Sequence, residues 1–160
     1  GGVKQQPAFY AVFATSDEGY AAMPIAYGIK LFAMGSNGNF IPVEISTPDN
    51  QNIVAYSTVS KEGDVFLTII NKDHKVNKDQ KISIQLDRKI IDARIKSIAL
   101  NAKNNDIAEI SDITLGEASI DEDGSWEGKW NDIKTSDIDD FTFGITIPCA
   151  SALLIKIKND

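Results

Sequence analysis

With 160 residues, 42% of them hydrophobic, the chain has enough apolar material for one globular domain with a sizeable core, which excludes a disordered polypeptide. Its 23 acidic and 16 basic residues give a net charge of −7, which argues against nucleic acid or an anionic membrane as partner, since either requires a basic face. A lone cysteine, Cys149, excludes an intrachain disulfide, and with a lone His74 there is no second ligand pair for a transition-metal site, so neither metal nor cofactor is expected.

No apolar run is long enough to span a membrane. The chain begins Gly1-Gly2, without Met and without a signal peptide, and is expected to be either cut from a longer polypeptide or processed. Residues 7–35 are rich in Ala and aromatic residues and are expected to be helical, and 1–38 is set apart as an N-terminal helical segment. Pro24 suits a first helical position, and Gly35 suits the residue past a helix end. Ile25, Ile29, Phe32 and Ala33 recur at helical spacing on one face, while Tyr27, Leu31 and Met34 spread over the others. A helix apolar nearly all round is buried on more than one side. Tyr27, Leu31 and Met34 are therefore expected at an interface with a partner or with a second copy of the chain.

From residue 39 the period changes to two, and 39–160 reads as a β-sandwich domain. Phe40–Ser46 is a short strand whose Pro42 suggests an edge or a bulge. Ile53–Val59 and Asp64–Ile70 then flank the turn Ser60-Lys61-Glu62-Gly63, where Gly63 supplies the positive φ of a tight hairpin. The second of these strands is apolar on both sides: Val65, Leu67 and Ile69 point one way, Phe66 and Ile70 the other. A half-solvated strand alternates more cleanly, so both faces of this one need cover. After the polar loop 73–80, which holds His74, come a half-exposed strand through Ile82, Ile84 and Leu86, a strand at Ala93–Ala102 and a turn cluster at Asn101–Asp106. Short apolar pieces at Ile113–Leu115 and Ala118–Ile120 precede a strand at Ser125–Trp130, an alternating run from Phe141 to Ile147 and a final strand from Ser151 to Lys158. Seven to nine strands with closely spaced turns make an all-β antiparallel sandwich with an N-terminal helix. Cys149 is expected to be a small buried hydrophobe.

Chemistry is thinly signalled. Asp121-Glu122-Asp123-Gly124 invites a calcium reading, but Ser125 and Trp126 stand where an EF-hand loop needs an Asp or Asn and a Gly, so an Asp-Gly turn is the simpler account. Asp137, Asp139 and Asp140 read as a solvated loop. No spacing singles out two carboxylates held opposite one another, and no catalytic residue is assigned. Trp126 and Trp130 are the candidate carbohydrate-binding residues: on one strand face, two indoles offer flat surfaces to sugar rings. The plainer alternative is that they close one end of the sandwich.

An ordered set of segments resembles the C-terminal β-sandwich of glycoside hydrolase family 79, the group of heparanase and β-glucuronidases. The carriers are Tyr27-Gly28-Ile29-Lys30-Leu31-Phe32, Ala55-Tyr56 and the run from Gly63 to Asp73. They continue with Ile113-Thr114-Leu115-Gly116, Asp123-Gly124-Ser125-Trp126 and the run from Ile147 to Ala152. Together they span most of residues 24–158, and Glu117 departs from the pattern where a second glycine is expected. The resemblance implies that the helix ends a TIM barrel packed against the sandwich. The two catalytic glutamates would lie on barrel strands outside this chain. It also implies an extracellular or periplasmic enzyme acting on glucuronides. Three readings follow: an accessory domain of a glycoside hydrolase with its catalytic barrel as partner, a stand-alone carbohydrate-binding module, or a protein-interaction sandwich.

Overall fold

The computed structural model describes residues 11–16, 19–46, 52–74, 79–87, 94–133 and 141–158. The expectations for residues 7–10, for 75–78 of the polar loop, for Ala93 and for Asp137, Asp139 and Asp140 lie outside them. The central hairpin forms as its β-branched composition demands. β4 (Ile53–Val59) and β5 (Val65–Asn71) pair antiparallel from Val59 opposite Val65 to Ile53 opposite Asn71. Gly63 sits at φ 86 in the turn; its amide donates to the Ser60 carbonyl, and the Asp64 amide donates to the Ser60 hydroxyl.

That hairpin seeds the main sheet. β11 (Ser151–Ile157) pairs along the whole of β5, and β7 (Ile95–Ala102) pairs along the other side of β11. β3 (Asn39–Ile41) and β8 (Ile113–Leu115) complete the order β3-β4-β5-β11-β7-β8, and the two-residue β9 (Asn131–Asp132) pairs beside β8 on β7. β3 is an edge strand and stops just before Pro42, which cannot donate to a ladder; residues 42–46 are irregular rather than strand. Cys149 is buried, as expected, in the turn that precedes β11. His74 is exposed.

A second sheet pairs β6 (Gln80–Gln85) with β10 (Thr142–Ile147). Its inward residues Ile84, Phe143 and Ile147 meet Leu67, Ile69, Ile155 and Ile157 of the main sheet in one core layer. On the opposite face of the main sheet, Phe66, Ile98, Ala152 and Leu154 form another layer with Tyr27 and Leu31 of the helix α1 (Pro24–Gly35). The two-sided apolar character of β5 is thus accounted for by a sheet on one side and a helix on the other.

The helical reading of 7–35 narrows to α1. Phe13–Thr15 (β1) and Tyr20–Ala22 (β2) pair as a small antiparallel hairpin, and the Met23 amide donates to the Val12 carbonyl just before the helix starts. The Ser16 amide donates to the Gly19 carbonyl at 2.9 Å, a bond that closes the pair beyond Thr15 and Tyr20. At the other end, Gly35 allows a close approach to the sheet: a Cβ there would stand 2.7 Å from the Thr68 hydroxyl and 3.1 Å from a Leu154 methyl. The Thr58 hydroxyl donates to the Gly35 carbonyl at 2.8 Å and anchors the helix end.

Candidate functional site

The stretch Ser125–Trp130 is not a strand; it runs as irregular chain between the Asp121–Gly124 turn and β9. Trp126 and Trp130 therefore do not owe a common face to strand alternation. The Trp126 indole N–H donates to the Leu115 carbonyl at 2.9 Å, the ring lies against the Gly128 backbone, and the Lys30 ammonium stands 4.4 Å from its centroid. Both indoles are partly buried against the helix-side core.

Trp130 also lines an open pocket of about 310 Å³ whose other walls are Arg94, Lys96, Lys156 and Lys158. The strand register creates this cluster. Lys96 on β7 is the direct cross-strand partner of Lys156 on β11, and the Lys158 amide donates to the Arg94 carbonyl one step further along. Lys156 pairs with Asp64 at 3.0 Å and lies 5.2 Å from the Phe66 ring centroid; Lys96 pairs with the exposed Asp132 at 3.6 Å. Arg94-x-Lys96 and Lys156-x-Lys158 each carry the two-residue spacing that puts cations on one strand face. That is the local signal for the cluster. Their meeting depends on a pairing between strands about 60 residues apart, which periodicity does not reveal.

Tyr27, Leu31 and Met34, expected at an interface, belong to the core. Tyr27 is 3% and Leu31 4% exposed, and Met34 packs against the same layer. The Tyr27 hydroxyl accepts the Ile120 amide at 3.0 Å, giving its polar tip an inward partner. The outer face of α1 is the one carrying Ile25, Ile29 and Phe32, with Phe32 66% exposed. The exposed Phe40 and Tyr56 project from the same side of the main sheet, since Phe40 lies opposite Thr58 and Tyr56 opposite Thr68. The apolar excess of the helix is therefore real, but it belongs to the opposite face from the one expected.

Two acidic stretches, Asp121–Asp123 and Glu109–Asp112, are tied mainly by local bonds, while Asp64, Asp132 and Glu122 reach distant partners. Asp123 accepts the Ser125 amide at 2.8 Å and Asp121 the Ser125 hydroxyl at 3.1 Å, around Gly124 at φ 85, so this acidic stretch is a turn held by its own side chains. The Ser125 amide holds the Asp123 carboxyl below its ordinary range. Glu109 accepts the Ser111 amide and hydroxyl and, more weakly, the Asp112 amide, which lower its pKa to about 2. The nearby Lys103 is raised by its 2.7 Å hydrogen bond to Asp112. Among the described residues no three His, Cys, Asp or Glu side chains gather to hold a metal, and no helix is long and apolar enough to cross a membrane.

No protein-family model matches the chain. No curated protein matches it either. Solved structures do. An arabinose-bound family GH51 α-L-arabinofuranosidase aligns with a TM-score of 0.64 at 14% identity, covering 98% of this chain and 22% of that one. The GH51 arabinofuranosidase from Xanthomonas axonopodis pv. citri gives 0.60 at 14%, over 92% of this chain and 29% of that one. A bifunctional glucanase-xylanase from a metagenome library gives 0.55 at 18%, over 92% and 24%. At these identities the likeness shows the fold, and the chain spans between a fifth and a third of the length of the enzymes it matches. What the comparisons establish is a β-sandwich with an N-terminal helix, shaped like a part of larger glycoside hydrolases.

Proposed function

We propose that the chain is a non-catalytic accessory β-sandwich of a glycoside hydrolase, and that α1 carries the surface that packs against the catalytic domain. The carrying observation is the asymmetry of coverage: nearly all of this chain superposes on less than a third of each enzyme. The outward row Ile25, Ile29 and Phe32 supports the same reading, because an apolar helix face left in water marks a surface made for contact. The unit boundaries at 1–38 and 39–160 belong to this proposal, with the helix as the joint between the two parts. The catalytic partner is a barrel, by the resemblance to family 79. That finer assignment, and with it a glucuronide substrate, rests on the ordered residue set from Tyr27 to Ala152; the matched enzymes described above support the glycoside-hydrolase association and not that family in particular.

The test is an activity screen of the pure 160-residue chain against aryl arabinofuranosides, xylosides, glucosides and glucuronides. No turnover is expected, because retaining and inverting hydrolysis both need two carboxylates held about 5–9 Å apart across a bound sugar. Turnover abolished by a single Asp or Glu change would overturn the proposal.

A further inference from the structure

We infer that the pocket formed by Arg94, Lys96, Lys156, Lys158 and Trp130 is a binding site for acidic saccharides, sugars that bear carboxylate groups. The inference rests on this cluster alone and stands whether or not the chain is an accessory domain. Four cations gather here on a chain whose net charge is −7. Two of them, Lys96 and Lys156, are direct cross-strand partners, an arrangement that sheet pairing disfavours when the charges are alike. Asp132 and Asp64 each offset one of that pair. Among the described residues Arg94 and Lys158, both lining the pocket, have no acidic partner.

The chemistry of the walls narrows the ligand. A guanidinium grips a carboxylate through two parallel N–H donors, and an ammonium adds a point charge that tolerates varied geometry. Trp130 adds an apolar surface with a polar edge, which suits the C–H face of a pyranose better than it suits a small inorganic anion. A volume of about 310 Å³ sits at the small end of ligand pockets and has room for one or two sugar units. A concave basic patch also concentrates field lines toward an anion. A long polyanion such as nucleic acid is disfavoured, because the acidic balance of the remaining surface would repel its flanks.

The experiment is an amide and indole NMR titration of the 160-residue chain with tetragalacturonate. Neutral xylotetraose and a tetraglutamate peptide serve as the two comparisons. Saturable shifts are expected at Arg94, Lys96, Lys156, Lys158 and the Trp130 indole with tetragalacturonate, weakened in 0.5 M salt. Arg94→Gln combined with Lys158→Gln should weaken binding roughly tenfold or more at an unchanged melting temperature, since both side chains are exposed. Trp130→Leu should weaken tetragalacturonate but not tetraglutamate; because Trp130 also packs on the core, the Arg94 and Lys158 pair carries the test if this variant fails to fold. Equal binding of xylotetraose, or no saturable shift at millimolar tetragalacturonate, would overturn the inference. Tetraglutamate bound as tightly as the sugar would overturn it too, and would assign the patch to an acidic protein surface.

Discussion

Gly116 and Glu117 follow one another at φ 61 and φ 65, and Leu115 and Ala118 close the turn through the bonds Leu115 N–H to Ala118 O and Ala118 N–H to Leu115 O. Two successive positive φ values define a type I′ hairpin turn, whose second central position belongs to glycine or asparagine. Glu117 is thus a non-glycine residue in left-handed backbone, at the position where this sequence departs from the second glycine that the resemblance to family 79 leads one to expect. Glu117→Gly is expected to stabilise the fold by roughly 0.5–1 kcal/mol, the relief of strain exceeding the added freedom of the unfolded chain. Thermal unfolding should show a rise of about 2–4 °C per kcal/mol gained, and a fall in melting temperature would mean that the Glu117 side chain has a role the turn geometry hides. Glu109 titrates by a different logic. Its folded pKa of about 2 lies below the ordinary 4.5 because the Ser111 and Asp112 donors favour the carboxylate. Its stabilising bonds are therefore complete above about 4.5 and are lost as pH falls toward 2. A side-chain NMR titration should place its midpoint near 2, with exchange protection of the Ser111 and Asp112 amides falling over the same range; a midpoint near 4.5 would remove these bonds from solution.

At the scale of the element, α1 carries two apolar faces with different duties. Leu31 is enclosed by the helix-side core, so Leu31→Lys should bury an unpaired ammonium and abolish folding or cost at least about 3 kcal/mol. Phe32 and Ile29 stand in water, each able to contribute roughly 1.5–3 kcal/mol if covered. The free chain is expected to self-associate through them. Phe32→Asp with Ile29→Lys should make it monomeric with little change in melting temperature. Sedimentation across a hundredfold concentration range reads this directly: a wild-type chain that stays monomeric throughout would deprive the outer face of its role as a contact surface.

The whole molecule is a three-layer stack in which the main sheet serves two cores. Phe143 is fully buried between the sheets, while Phe66 lies in the layer under the helix. Phe143→Ala and Phe66→Ala should each cost about 3–5 kcal/mol. Since both layers share β5 and β11, chemical denaturation should remain a single transition in either variant. Two separated transitions in Phe66→Ala would show that the helix layer unfolds on its own.

The four long strands of the main sheet, the hairpin at Gly63 and the need for cover on both sides of Val65–Asn71 are legible in the sequence by itself, because alternation of side chains is a local property that survives without a partner. The short β9 is not, and Ser125–Trp130, which reads as a strand, is irregular chain. The sequence also marks a helix from Pro24 up to Gly35, with more apolar surface than one sheet face can use, although it sets Gly35 past the helix end where the fold keeps it in the last turn. Only the tertiary structure decided which face turns inward. Both faces of α1 are apolar, so periodicity carries no phase; the choice falls to Tyr27, whose hydroxyl finds the Ile120 amide, and to Gly35, which alone lets the helix end reach Thr68 and Leu154. Residues 13–15 and 20–22 form paired strands rather than helix for a related reason: Ala-rich and aromatic composition fits either state, and the pairing of β1 with β2 settles it. The basic pocket is the furthest from sequence. Arg94 precedes β7 and Lys158 follows β11, about 60 residues further along the chain, and only the antiparallel pairing of these two strands sets their charges side by side.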